Sequence, residues 1–467
     1  MNFHLSKFQK IATPSRSCFI ATILILLWLP LPLGSATAWG WLTLTVLLVT
    51  ISAIYGWQHQ AVASVIIRRN RYLFWGWIAI FCGQLLQLLP LPLFIIEWVR
   101  PERLHNLAVL DSQWLSLTFN NQDTLLSLLR TLSFFCLFLL TLLMIRSARK
   151  TKLLLQFIFG MGIFQALYGS FSRGSGQSHS LILDLPVANG ASGTFLSNAY
   201  FSHFLLLTLG AALGLLVLKI KPSVTSTARE KIRRLVKYFF SRKAAFRLGV
   251  LFLVFGILVS ESVIGVMAAC IATTGCALYG LKVFKPRPTY YTYFVGLLVV
   301  VDIVVGIGTH ALIPPDLPEK TITAAPSLNP NLFKKPSSPG VFHFGVLGAG
   351  AGTAIDTAAA FQDIPIPGHL AAPQNDYGQF LIEFGLPLSL VFLAMFGWCF
   401  GHAVVAMAKR RHVVFRGAAF ACVIGLSGTM IQMIASTPLQ SPANAAYVTV
   451  LLALSLSSFQ CRKYQRA

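Results

Sequence analysis

Residues 371–387, AAPQNDYGQFLIEFGLP, close the one long polar stretch of the chain and run straight into apolar sequence. The stretch begins near His310 and passes through FGVLGAGAGTA at 344–354, so residues 310–376 separate two hydrophobic runs. Connections of that length are usually functional or disordered. This one reads as functional. With its exit into the apolar run it holds six of the 14 acidic residues: Asp316, Glu319, Asp356, Asp363, Asp376 and Glu383.

Outward from this stretch the sequence is built of apolar runs. Twelve of them, at 18–34, 38–56, 72–95, 126–145, 153–171, 195–218, 248–263, 264–281, 290–309, 377–401, 413–436 and 443–459, are long enough to suggest crossings of ~30 Å of hydrocarbon. A chain that is 55% hydrophobic and 11% charged has too few polar residues to cover a water-soluble globule. The expected fold is all-α and polytopic. It has an N-terminal transmembrane bundle over 1–309, a large external loop over 310–376 and C-terminal transmembrane helices over 377–467. Few runs alternate apolar and polar with period two, which argues against an outer-membrane barrel.

The net charge of +23 suggests nucleic acid until its placement is considered. All but seven of the 37 Lys and Arg residues fall on alternate connections, ten of them at 219–247, and Glu230 is the one acid on that side. This is the positive-inside pattern, which places both termini in the cytoplasm and 310–376 outside. Nucleic acid is therefore not an expected partner. Anionic membrane lipids are, at the 219–247 loop. The eight cysteines lie in the runs or on the inner side, so no disulfide is implied. With no CxxC and no HExxH spacing, no metal or other cofactor is expected. Residues 18–34 followed by Ser35-Ala36-Thr37-Ala38 also fit a signal peptide with an A-x-A site, but a retained first span is the preferred reading.

Polar residues inside or beside the runs are the remaining signals. FCGQLLQLLPLP at 81–92 is a helix stopped by two prolines. Trp98 and Trp114 suit a membrane interface, and Arg130 is placed to snorkel outward. Gln165 and Tyr168 read as helix packing with the neighbouring glycines. Glu261 reads as a surface turn between two short runs, whereas Asp302 falls inside YYTYFVGLLVVVDIVVGIGT and needs a hydrogen-bonded or functional role. Gly345, Gly348, Gly350 and Gly352 allow close backbone approach. No Lys-Ser/Thr pair follows them, so a P-loop is excluded, leaving a turn or an anion nest.

The stretch resembles the bacterial O-antigen ligases and the O-antigen polymerases and protein O-oligosaccharyltransferases related to them. Those proteins carry a large external loop with a Gly-rich stretch, ending in His-x-His-Asn-x-Tyr-Leu-x-x-x-x-Glu-x-Gly as it enters a helix. Asn375, Asp376, Tyr377, Gln379, Glu383 and Gly385 fit that pattern. LLQLLPLP, IFQALYGSF, GTFLSNAYF and LQSPANAAYVTVLLAL add further matches in order, from residue 85 to 454.

The resemblance implies metal-free transfer of a glycan from undecaprenyl pyrophosphate to an acceptor hydroxyl, on lipid A core, a glycan chain or a protein. The reaction would lie on the periplasmic face of the inner membrane. It implies a His base, and arginines that hold the pyrophosphate. At those positions the chain departs from the pattern: Ala372 and Gln374 replace the two histidines, Ser262-Val263-Ile264-Gly265 replaces Ser-Arg-Gly-Gly, and Ser197-Asn198-Ala199 replaces Asn-Arg-Asn. Three readings follow. In an active transferase, Asp376, Glu383 or His369 serves as base, with Asn375 and Tyr377 beside it. Arg173, Lys334 and Lys335 would then hold phosphate, and Gln374, Gly348 and Gly350 would line the substrate. A silent relative would bind lipid-linked glycan or regulate a ligase. A secondary transporter would use Asp302 and Glu261.

The charge placement is checked with reporter fusions. A fluorescent protein inserted at 230 is expected to fluoresce, and alkaline phosphatase inserted at 330 to be active. The opposite pair of results would invert the topology.

Overall fold

Hydrocarbon offers no partner to a peptide N–H or C=O, so a chain this apolar must satisfy its backbone within helices. The computed structural model describes residues 16–99, 114–175, 191–218, 242–284, 289–312, 347–354, 357 and 375–461. Its helices are α1 (Arg16–Trp28), α2 (Ala38–Gln58), α3 (Gln60–Arg69), α4 (Arg71–Leu88), α5 (Leu93–Val99), α6 (Asn121–Met144) and α7 (Ala148–Gly174). They continue as α8 (Asn198–Val217), α9 (Arg242–Val259), α10 (Val263–Val283), α11 (Thr289–Leu312), α12 (Asp376–Lys409), α13 (Val413–Gln432) and α14 (Pro442–Gln460). Two three-residue strands, β1 (Pro90–Pro92) and β2 (Trp114–Ser116), pair antiparallel with Leu91 opposite Leu115.

Each of the twelve apolar runs coincides with a helix. Among the described residues eight helices, α2, α6, α7, α8, α10, α12, α13 and α14, are long and apolar enough to cross a membrane. The apolar parts of α1, α9 and α11 are shorter. The protein is therefore a membrane-embedded helical bundle, and its two ends can be told apart by their cross-links. At one end, where the basic connections lie, Gln460 Nε2 donates to Asn70 Oδ1 at 2.6 Å and the Arg410 guanidinium covers the Phe459 ring at 5.6 Å. At the other end Ser441 Oγ donates to Gly34 O at 3.3 Å and Leu439 N to Asp376 Oδ2 at 3.0 Å.

The axis of the bundle is α8, buried on all sides against α7, α9 and α13. Close approach explains its small residues. A Cβ on Gly214 would stand 2.4 Å from Gly417 O, and one on Gly417 would stand 2.6 Å from Gly214 O. In lipid, where burial against tails gives little driving force, such backbone contact is a main source of helix association. Helix starts follow capping chemistry: Asn120, Ser147, Ser197, Ser262 and Asn375 each accept a backbone N–H of the first turn of α6, α7, α8, α10 and α12. Pro442 opens α14, where its missing N–H costs nothing.

The segment after α1 is built into the bundle. Gly34, at φ +66°, faces Phe195 and Ser441, Thr194 Oγ1 donates to Pro30 O, and Tyr447 OH donates to Leu26 O at 2.9 Å. The turn expected at Glu261 is present, with Glu261 itself at φ +57°. Arg173 closes it by pairing with the Glu261 carboxylate and donating to Val259 O at 3.1 Å. Asp302 is held between α10 and α11, its Oδ2 2.9 Å from Thr273 Oγ1 and 2.6 Å from Thr274 Oγ1.

Two expectations are corrected. Arg130 does not snorkel outward; it is half-buried, its guanidinium 4.7 Å from the Trp41 ring centre and in electrostatic reach of Glu383 and Asp123. Nor does 377–401 form one straight helix. Gly385, at φ +74° and ψ +173°, breaks α12, and Pro387 follows it. Ser389 Oγ reaches Phe380 O at 2.9 Å and the Phe380 and Phe392 rings stack at 4.6 Å. In a straight helix positions nine apart lie about 13 Å apart along the axis. The first nine residues of α12 therefore fold back along the rest of it.

Gly214→Ala is expected to lower stability by about 1–3 kcal/mol through overpacking against Gly417. Gly401→Ala, where a Cβ meets nothing within 4 Å, should be neutral or slightly stabilising. Thermal unfolding of the detergent-purified chain measures both.

Candidate functional site

The break in α12 sets the local problem. Pro387 has no N–H to give to the carbonyl of Glu383, and an unpaired carbonyl inside a membrane protein is costly. The Gly-rich turn supplies the missing donors: Gly350 N donates to Glu383 O at 3.1 Å and Ala349 N to Ile382 O at 2.5 Å. Gln87, at the end of α4, completes the joint. Its Nε2 donates to both Glu383 O and Leu347 O at 2.9 Å, and its Oε1 accepts Ala351 N at 3.0 Å. A fourth strand of contact comes from residues 117–120, where Phe119 N donates to Ala349 O and Thr118 N to Gln87 O, each at 3.0 Å.

Glycine is required at the turn because backbone meets backbone. A Cβ on Gly348, which has φ +66°, would stand 2.3 Å from Glu383 O and 2.4 Å from Gly385 N. Gly350, at φ +119°, lies against the Thr118 side chain, where a Cβ would stand 2.0 Å from Oγ1. The turn is thus a clamp on the broken helix, and its N–H groups at 349–351 are occupied by protein acceptors. Those N–H groups are not free to form an anion nest, and Gly348 and Gly350 line the joint.

Glu383 is the side-chain partner of the same joint. It is 5% exposed, accepts from Gln379 Nε2 at 2.7 Å, and faces the backbone N–H groups of Gly352 and Ala354. Arg130, beyond ion-pair distance, adds a smaller favourable field at the carboxylate. Those contacts use the carboxylate's acceptor capacity within the protein. Asp376 is fully buried a few residues earlier. Its Oδ2 accepts Leu439 N at 3.0 Å, its own N–H is 3.3 Å from Ser436 O, and the Gln440 side chain stands beside the carboxylate. Asn375 caps the helix through Gly378 N, and Tyr377 OH donates to Met430 O at 3.0 Å. Asn375 thus starts α12, while Asp376 and Tyr377 pin that start to the α13–α14 connection and to α13.

Of the other candidates, Arg173 lies in the Glu261 clasp, while His369, Gln374, Lys334 and Lys335 lie outside the described residues. Among the described residues no three His, Cys, Asp or Glu side chains converge as metal ligands would. The structure adds residues the sequence left unmarked. Gln87 and Gln84 are buried in α4, and Gln84 Nε2 donates to Thr131 Oγ1 at 3.0 Å. His203 is fully buried in α8, its Nδ1 3.0 Å from Gln432 Oε1 and its Nε2 3.4 Å from Thr429 Oγ1.

Beside the joint is a cavity of about 460 Å³, lined by Leu88, Pro90, Trp114, Leu115, Ser116, Phe119, Asn120 and Asn121. Trp114, expected as a membrane anchor, is 58% exposed at this cavity. Asn121 Oδ1 accepts Ser116 Oγ, and Asn120 Oδ1 caps α6. The lining thus sets an aromatic face beside the half-exposed edge of hydroxyl and amide groups that are hydrogen-bonded to one another and to the start of α6. No protein-family model and no curated protein matches the chain.

Gln87→Ala removes donors from Leu347 O and Glu383 O and the acceptor of Ala351 N. The amides of residues 349–351 are expected to exchange about 10–100-fold faster, at roughly 1–3 kcal/mol per lost buried partner. Hydrogen–deuterium exchange on the reconstituted chain reads this directly. Unchanged exchange would mean that the turn is held by other contacts.

Proposed function

We propose that this chain is an O-antigen ligase-like protein of the bacterial inner membrane. It would cross twelve times with both termini cytoplasmic, and recognise an undecaprenyl pyrophosphate-linked glycan at the periplasmic end of the bundle. The observation that carries the reading is the Trp114 cavity adjoining the joint of 81–92, 347–354 and 376–387, the stretches on which the family resemblance rests. Sugars offer apolar C–H faces and hydroxyl edges, which an exposed indole beside Ser116, Asn120 and Asn121 complements. The acceptor would be lipid A core, a glycan chain or a protein.

Glycan recognition without transfer by Glu383 or Asp376 is the form of this reading that the geometry favours, because both carboxylates are buried in structural hydrogen bonds. Transfer, if the chain performs it, would draw its base from His369, the remaining candidate of the three. The transporter reading loses ground. Asp302 is engaged by two threonines, and Glu261 by Arg173 at a turn.

The test uses the full chain in membranes of defined composition, with undecaprenyl pyrophosphate-linked glycan as donor. Wild type is expected to bind donor, and Trp114→Ala to bind it about 5–30-fold more weakly, in the range of a lost aromatic contact of ~1–2 kcal/mol. Glu383→Gln and Asp376→Asn should leave any transfer rate within about threefold per folded molecule, whereas a base would lose at least 100-fold. Donor binding unaffected by Trp114→Ala would remove this cavity from the reading. A loss of transfer with Glu383→Gln and intact folding would make Glu383 the base.

A further inference from the structure

A second cavity lies at the opposite, basic end of the bundle. It measures about 540 Å³ and is lined by Phe159, Leu215, Leu218 and Phe246 with Val413 and Val414, under Lys152 and Gln156. Four helices frame it: α7, α8, the start of α9 and the start of α13. Lys152 and Gln156 are one turn apart on α7 and both exposed, with Phe159 buried one turn deeper on the same face. The lining therefore runs from cationic to amide to aromatic over about 10 Å of helix.

We propose that this cleft holds an anionic glycerophospholipid, its phosphate on Lys152 and an acyl chain along Phe159, Leu215 and Phe246. The polarity gradient along α7 matches a lipid inserted with its headgroup at the helix end and its chain toward mid-bundle. Arg149, one turn before Lys152, and Arg411, two residues before Val413, are exposed. Among the described residues every carboxylate lies elsewhere: Glu97, Asp123, Glu261, Asp376 and Glu383 belong to the far end, and Asp302 to the middle of α11. Among the described residues a phosphate at Lys152 thus meets positive charge with no carboxylate beside it, Glu230 being the one acid in the connection on this side, and basic pockets between helices at this kind of end are where anionic headgroups bind. A soluble anion would satisfy Lys152 but leave the apolar floor unfilled.

The full-length chain is purified, stripped of lipid and titrated with phosphatidylglycerol or phosphatidylcholine of identical chains, with bound lipid counted by native mass spectrometry. Wild type is expected to retain phosphatidylglycerol about fivefold or more over phosphatidylcholine, the preference that one cation near the headgroup supplies. Lys152→Glu, at an exposed position, should abolish the preference. Val413→Trp, at the 40%-exposed mouth, should reduce retention of both lipids. Equal retention of the two lipids by wild type would overturn the proposal. A preference that survives Lys152→Glu, or retention untouched by Val413→Trp, would also overturn it by placing the lipid elsewhere. A cross-link from residues 219–241 to Val413 that persists in lipid-saturated protein would identify the chain's own loop as the occupant, and would equally overturn it.

Discussion

The structure at the non-basic end depends on one constraint: a carbonyl freed inside an apolar bundle has to find a donor. Gly385 and Pro387 free the carbonyls of Ile382 and Glu383, and the segments that answer them come from far along the chain. Gln87 lies 296 residues before Glu383, and the Gly-rich turn stands between. Each of these parts would be costly alone. A broken helix without the turn leaves open acceptors, the turn without the helix leaves open N–H groups, and Gln87 without both is a buried amide with no partner. Together they satisfy one another, so the three stretches are expected to order as a unit.

This joint changes what the motif residues mean. An Asn-Asp-Tyr triplet followed by Glu and Gly looks like a set of reacting groups when read along the chain, but each member has a structural employment. Asn375 caps, Tyr377 ties α12 to α13, Asp376 receives the N–H of Leu439, and Glu383 binds the clamp while facing Arg130. The departures at Ala372 and Gln374 fit with this: the residues that hold the joint are present where the chain lacks the histidines that the resemblance implies for chemistry. A scaffold of this kind can be kept intact by packing and hydrogen bonding alone.

Helix positions were legible because apolar length and capping are local properties. The runs beginning near 126, 377 and 443 contain or follow Asn120, Asn375 and Pro442, residues whose side chains act within one turn of themselves. The turn at Glu261 was legible for the same reason. What escaped was every feature whose cause lies across the bundle. Arg130 reads as a snorkelling cation because nothing near it in sequence shows Trp41 or Glu383. Gln87 sits in a run stopped by prolines, and only the fold reveals that its amide faces the carbonyls freed by Gly385. The break itself was written in the sequence as Gly385-Leu386-Pro387. An apolar run carried through it, and hydropathy does not register a reversal of direction.

The placement of the broken helix also decides where motion is cheapest. The bundle's interior is α8, α13 and α14, buried along most of their length and joined by backbone-close contacts such as Gly214 to Gly417. By contrast α12 is peripheral, with only 22% of its most apolar stretch buried. Its first nine residues are held by hydrogen bonds more than by apolar burial. Local opening draws on the elements with the fewest buried apolar contacts. The exposure lies after Gly385, whereas no residue of 376–384 is exposed, so opening this segment first breaks its bonds to Met430, Leu439 and the turn. The cavity at Trp114 shares a wall with that clamp through Phe119, so a ligand seated there and an ordered clamp should favour each other.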